Sequence, residues 1–238
     1  VVVLFPAGRV SERQAKQLTC WGDNVLSLEV QGSFDDCQAM VKSAFAEQTL
    51  REQFRLSSAN SINIGRLLPQ STYYAHASLQ HFRETGRLAN FIIPTGNLGN
   101  ALACVLARDM GLPVGDLMLA TNANRTIPDY LGGADWAPGA SVQTMATAMD
   151  VGNPSNMERL RHLHGDRSEL QSVVRAVSVS DEQIAAQIRK QHESLGIVLC
   201  PHTATAFQAY EDLSLEQRSA DWVLVSTAHA AKFESIVE

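Results

Sequence analysis

The 238-residue chain has no apolar run near the roughly 18 residues a bilayer-spanning helix needs, so no transmembrane helix is predicted. It also lacks a surplus of basic charge: 19 Lys and Arg face 25 Asp and Glu, for a formal net charge of -6. With a pI near 5.6, the basic face of a general nucleic-acid binder is absent, and no nucleic-acid partner is expected. Cysteine is sparse. Cys20, Cys37, Cys104 and Cys200 stand apart, without Cys-x-x-Cys or metal-ligand spacing, and are predicted to be buried free thiols. There is no His-x-x-x-His, no Gly-x-Ser-x-Gly elbow and no Walker loop with its lysine. A metal site is therefore not expected, and the hydrolase and nucleoside-triphosphatase classes lose their usual signatures. The amino-terminal Val1-Val2-Val3-Leu4-Phe5 has no basic flank and runs straight into Pro6-Ala7-Gly8, so it reads as a strand and not a signal peptide. A cytoplasmic location is expected.

What is present alternates strand and helix. Strands are predicted over 1–5, 25–30, 91–94, 117–120, 173–177 and 222–226. Between them lie a helix over 12–21 with Ser11 and Gln14 as a capping box, a helix over 34–45, and one long helix through Arg66, Leu67, Tyr73, Tyr74 and Ala77. An apolar helix ends near Met110 at Gly111 and Pro113, a capping box at Ser180 and Gln183 opens a helix to about Leu195, and a last helix covers 230–238. Residues 121–156 are loop-rich, a natural binding surface. This alternation predicts an α/β fold, a mostly parallel sheet with helices on both faces and ligands near the carboxyl ends of the strands. The chain starts on Val inside a strand and stops inside a helix with no capping glycine, so both ends are expected to be cuts.

The run Phe91-Ile92-Ile93-Pro94-Thr95-Gly96-Asn97-Leu98-Gly99-Asn100-Ala101 reads as strand, glycine turn and helix start. Such a turn suits a phosphate, because glycines let backbone approach the anion and the first helical amides have no internal partners. The same glycines also serve a plain βα turn. A second polar run, Ser58 to Arg66, combines Asn60, Ser61 and Asn63 with one guanidinium. A helix starting near Ile62 would put Asn63 and Arg66 about one turn apart, a donor set for a second phosphate or a carboxylate, or simply a capped helix with a surface arginine. Ser226-Thr227-Ala228-His229 presents hydroxyls at a strand end, where Thr227 equally reads as an N-cap. His76, His81, His162, His164 and His192 are expected to be solvated, whereas His202 and His229 follow apolar runs and are site candidates.

Five motifs in order carry a resemblance: Ser58-Ala59-Asn60-Ser61-Ile62-Asn63-Ile64-Gly65-Arg66-Leu67, Pro94 to Asn100, Ala120-Thr121-Asn122-Ala123-Asn124, Ala148 to Asn156, and Ser226-Thr227-Ala228-His229. Over essentially the whole chain this resembles threonine synthase of the bacterial and fungal branch, a pyridoxal-phosphate lyase related to the tryptophan synthase β subunit. The resemblance implies conversion of O-phospho-L-homoserine and water to L-threonine and phosphate. It implies that Gly96, Asn97, Leu98, Gly99 and Asn100 hold the phosphate of pyridoxal 5'-phosphate and that Thr227 faces its pyridine nitrogen. Ser61, Asn63 and Arg66 are implied to bind the phosphate of the substrate. No oligomeric state can be read from these residues.

Departures from the family pattern are specific. Ala230 replaces a usual Pro, Arg125 replaces a usual Asp beside the expected site, and Gly139 replaces a common Arg. No role is assigned to the 121–126 loop on that account. The family's cofactor-linking lysine lies in a Phe-Lys-Asp context upstream of everything seen here, and none of Lys16, Lys42, Lys190 and Lys232 has it. The chain is thus expected to be the carboxyl-terminal large part of the enzyme and to be inactive alone. The alternatives are a lysine-free phosphate- or cofactor-binding protein and a sibling pyridoxal-phosphate lyase acting on another amino acid.

Overall fold

The computed structural model describes residues 1–237; Glu238, the predicted end of the last helix, lies outside them. The chain forms two compact units, Val1–Ser58 and Ala59–Glu238. In the first, β1 (Val2–Pro6), α1 (Glu12–Thr19), β2 (Leu26–Val30), α2 (Phe34–Ala46) and α3 (Gln48–Gln53) follow in order. The two strands pair in parallel, Val2 opposite Leu26 and Pro6 opposite Val30. Ser11 and Gln14 form the predicted capping box, each side chain meeting the other's backbone N–H at 3.2 and 3.0 Å. Helix α3 was not predicted; its six residues are too few to show a period.

The second unit opens with α4 (Ile64–Leu67), a 3-10 turn (Leu68–Gln70) and α5 (Ser71–Thr85). The single helix predicted here is broken because Pro69 offers no N–H to continue the ladder. Then come β3 (Ala89–Pro94), α6 (Gly99–Asp109), β4 (Val114–Thr121), α7 (Thr126–Leu131) and a 3-10 turn at Thr147–Met149. They are followed by α8 (Met157–His164), α9 (Arg167–Val173), β5 (Arg175–Ser178), α10 (Asp181–Leu195), α11 (Pro201–Glu211), α12 (Leu215–Arg218) and β6 (Trp222–Leu224). A 3-10 turn (Ala230–Phe233) and α13 (Glu234–Val237) replace the one helix predicted from residue 230.

All four strands of this unit run parallel in the order β5-β4-β3-β6. Alternate residues serve opposite faces, as the period of a strand requires. Phe91, Ile93, Leu117 and Leu119 join Tyr74 of α5 and Leu102 of α6, whereas Ile92, Met118 and Ala120 join Ala206 and Ala209 of α11. Helices therefore cover both faces, as predicted. Because β4 lies on one side of β3 and β6 on the other, the strand order reverses at β3, and a crevice is expected outside the carboxyl ends of β3 and β6.

Three of the four free cysteines are buried; Cys20 is exposed, correcting the expectation for it, because it caps the carboxyl end of α1. Among the described residues no helix is long and apolar enough to cross a membrane, and no group of three or more His, Cys, Asp or Glu could hold a metal ion.

Candidate active site

The glycine loop sits at the carboxyl end of β3, and its glycines act through space more than through dihedral freedom. Neither Gly96 nor Gly99 has a positive φ. Instead, a Cβ on Gly96 would lie 2.7 Å from Met149 Cα, and one on Gly99 would lie 3.1 Å from both Leu67 Cδ2 and Ser61 Cβ. The left-handed residue is Leu98, at φ 62°, the only non-glycine in that region among the described residues. This conformation costs an L-residue roughly 1–2 kcal/mol, and complete burial of the Leu98 side chain helps hold it. The backbone N–H groups of Gly96, Asn97, Leu98, Gly99 and Asn100 donate to no described residue. Open donors at the start of an 11-residue helix are an arrangement that suits an anion.

The two asparagine side chains of this loop are committed to holding its shape. Asn100 Oδ1 accepts from Thr95 Oγ1 at 2.8 Å and its Nδ2 donates to the Pro94 carbonyl at 2.9 Å, so the two ends of the turn are stapled. Asn97 Nδ2 donates to Ser61 Oγ at 2.8 Å, while its Oδ1 accepts from Ser155 N at 2.7 Å and Ser155 Oγ at 3.0 Å. Asn156 Nδ2 completes the knot on the Asn97 carbonyl at 2.9 Å. Residues 61, 97 and 155–156, from three separate motifs, thus meet at one point.

Arg159, in the first turn of α8, was missed by sequence reasoning. Its guanidinium donates to the carbonyls of Ser61 (2.9 Å) and Ile62 and to Asn156 Oδ1, clamping the polar run onto the loop. The sole sequence signal is its place one turn after Asn156, since backbone carbonyls are invisible as partners in a sequence. In the clamped run the helix starts at Ile64, not Ile62. Asn60 Oδ1 takes the Ile62 amide at 2.8 Å, and Asn63 is the N-cap, its Oδ1 accepting from Gly65 N at 2.9 Å. Arg66 is exposed, its Nε tied to the Ala59 carbonyl at 3.0 Å. The structure therefore brings Ser61 directly to the loop, with Asn63 capping the short helix that carries Arg66.

At the neighbouring strand, β6 pairs Leu224 with Ile92, and Thr227 lies three residues past Leu224 as Thr95 lies three past Ile92. The Thr227 hydroxyl bonds to no described residue. Just before it, Ser226 Oγ meets Thr203 Oγ1 at 3.4 Å, and Thr203 meets the Cys200 thiol that caps α11 at 3.2 Å. Of the two histidine candidates, His229 is exposed and caps the following turn, accepting from Ala231 N at 3.1 Å. His202 is buried, and burial lowers its pKa to about 4. His76, His162 and His192 are exposed as expected, whereas His81 and His164 are half-buried, 3.1 Å from Asp221 Oδ2 and 3.0 Å from Asp109 Oδ2, which corrects the expectation for them.

The 121–126 loop now has a role. Asn122, fully buried at the end of β4, donates through Nδ2 to Thr144 Oγ1 (2.8 Å), the Ala146 carbonyl (3.2 Å) and Asp150 Oδ1 (2.8 Å). Its Oδ1 accepts from Asn124 N and Nδ2, and Asn124 exchanges two bonds with the backbone of Val142. Burial pushes the Asp150 carboxyl up from its ordinary value, against the hydrogen bonds from Thr144 and Asn122 that pull it down. This hub pins residues 142–150 to the sheet. Arg125 does not reverse a charge in the site: its Nε and Nη2 reach Asp129 Oδ1 at 3.0 and 2.8 Å on an exposed surface. Changing Arg125→Asp alone should cost about 0.5 kcal/mol, typical of an i,i+4 pair, and adding Asp129→Arg should restore it in a double-mutant cycle read by urea unfolding. Gly139 has nothing within 4 Å of its would-be Cβ.

A parallel sheet with a strand-order switch, and there a loop of open amides, defines a class of protein. The family model described as pyridoxal-phosphate dependent enzyme matches residues 1–228, and the chain belongs to that family. Within it, the chain is similar to threonine synthases. It is 40% identical over 238 residues to that of Serratia marcescens, covering all of this chain and 55% of the relative. The crystal structure of threonine synthase from Escherichia coli superposes with a TM-score of 0.90 at 37% identity, covering 100% of this chain and 56% of that one. The PLP-bound threonine synthase from Brucella melitensis gives 0.83 at 34% identity, covering 99% and 56%. The chain thus spans about half the length of the relatives it matches. The residues fit the cofactor, because five loop amides lack protein acceptors and a strand-end hydroxyl is open.

Proposed function

We propose that the chain is the larger part of a threonine synthase, converting O-phospho-L-homoserine and water to L-threonine and phosphate with pyridoxal 5'-phosphate. The observation that carries this is the meeting of Ser61 with the open-amide loop through Asn97. It sets a second donor set next to the first, which suits a substrate with its own phosphate. The bound cofactor supplies an electron sink for carbanion chemistry. The chain's part is to hold and orient. Amides 96–100 take the cofactor phosphate, and the Leu98 turn and the Asn100 staple keep them aimed. Thr227 offers a neutral hydroxyl to the pyridine nitrogen, whereas a carboxylate there would keep that nitrogen protonated.

Ser61, Asn63 and Arg66 hold the substrate phosphate in the ground state and as it leaves. Charge accumulates on the departing group, so a guanidinium favours departure more than binding. Lys16, Lys42, Lys190 and Lys232 are all exposed, and the 238-residue chain alone should release no phosphate from O-phospho-L-homoserine. In the full-length enzyme, Arg66→Ala should lower kcat/KM about 10- to 100-fold, the worth of a charged hydrogen bond. Unchanged turnover and substrate affinity would remove Arg66 from the site.

A further inference from the structure

We propose that His202 is a positioning residue for the phosphate loop, acting through the backbone of Ala148 and Met149. The functional part rests on the assignment of Gly96–Asn100 to the cofactor phosphate. His202 is the second residue of α11 and is 3% exposed. Its Nε2 accepts the Ala148 N–H at 3.1 Å, which requires the neutral ring with its proton on Nδ1. That Nδ1–H has no hydrogen-bond partner among the described residues, and the Phe233 ring packs against the imidazole at 4.7 Å. A buried orphan donor is costly. An apolar side chain would fill the space without that cost but could not take the Ala148 proton.

The bond from His202 reaches the loop with no slack. Ala148 is the middle residue of the Thr147–Met149 turn, and the next residue, Met149, lies with its backbone against Gly96, 2.7 Å from a would-be Cβ at its Cα and 3.1 Å at its carbonyl carbon and oxygen. The far end of the turn is held by Asp150, whose carboxylate takes the Thr144 amide and hydroxyl and Asn122 Nδ2. The surface against which Gly96 rests is therefore held by the well-satisfied hub, by the Met149 side chain buried in a cluster with Val179 and Ile184, and by a single imidazole nitrogen. Losing the imidazole frees the turn on one side only, so the loop shifts while the sheet stays intact.

The test uses the 238-residue chain and two variants, His202→Leu and His202→Gln, the second keeping an acceptor at similar reach. NMR gives the exchange rate of the Ala148 amide and the amide shifts of Gly96 and Met149, with Leu119 reporting the sheet. Titrations with pyridoxal phosphate and with pyridoxal read the loop. In His202→Leu, Ala148 should exchange at least about tenfold faster, the equivalent of one hydrogen bond, and the Gly96 and Met149 shifts should move while Leu119 keeps its rate. Affinity for pyridoxal phosphate should fall about tenfold, that for pyridoxal should change less than about twofold, and His202→Gln should restore both. Unmoved Gly96 shifts, or equal losses for the two ligands, would overturn the role. Should His202→Leu expose Leu119 as well, His202→Gln decides: a Gln variant that folds without protecting Ala148 overturns it, and one that protects Ala148 and keeps the Gly96 shift supports it. If wild type binds neither ligand, the 238-residue chain does not hold the cofactor phosphate by its loop alone, and the exchange and shift data judge the mechanical link.

Discussion

Gly96→Ala should cost the loop its ligand. The added methyl would sit 2.7 Å from Met149 Cα and 3.1 Å from its carbonyl carbon and oxygen, and all three are backbone atoms that cannot rotate aside. Either the Thr147–Met149 turn retreats, against His202 and the Asp150 hub, or the loop does, against the Asn100 staple. Overpacking of this kind costs about 1–3 kcal/mol. The loss of function should be larger, because under the proposed function the five amides share one anion and a shift of a few tenths of an ångström would misalign them together. We expect pyridoxal-phosphate affinity to fall by about two orders of magnitude and Tm to drop by several degrees. Gly139→Ala is the control, since nothing lies within 4 Å of its would-be Cβ. Its Tm and affinity should match wild type, and a Gly96→Ala protein that did the same would disprove the close approach.

The second large effect is expected from Asn122→Ala. This fully buried side chain bonds Thr144, Ala146, Asp150 and Asn124, and its removal strips a donor from a carboxylate already pushed toward the neutral form by burial. Breaking a buried charged network by one partner costs about 3–5 kcal/mol, which for a chain of this size lowers Tm by roughly 6–20 °C. The pH dependence has a definite sign. Without Asn122 the folded-state pKa of Asp150 rises further above its unfolded value, so folding is penalised above that pKa and the penalty fades as pH falls through it. The difference in Tm between wild type and variant should therefore shrink from pH 7 to pH 4. A constant difference would mean that Asp150 does not sense Asn122.

Much of the architecture was legible because it rests on local chemistry. The capping boxes at Ser11 and Ser180 need only residues three apart. The βα turn at Gly96 to Asn100 follows a strand whose alternate residues must be apolar on both faces. Helices α3, α7, α8, α9, α11 and α12 were missed: five of them are short, and α11 is buried over most of its length, with no polar stripe to betray a period.

By its own pattern the sequence determined the strand and helix alternation, the class of the fold, and the positions of a glycine turn, a polar run and a strand-end hydroxyl as candidates for a ligand. Each of those depends on spacing within a few residues, which a chain carries in one dimension. Only the tertiary structure decided how the parts act. It tied Ser61 to Asn97 across 36 positions and placed Arg159 on the carbonyls of Ser61 and Ile62. It also set Met149 against Gly96 with His202 behind it. The physical reason is the same in each case. Those partners are backbone atoms or distant side chains, and which hydrogen-bond donor meets which acceptor is set by where the packed sheet brings the chain back on itself.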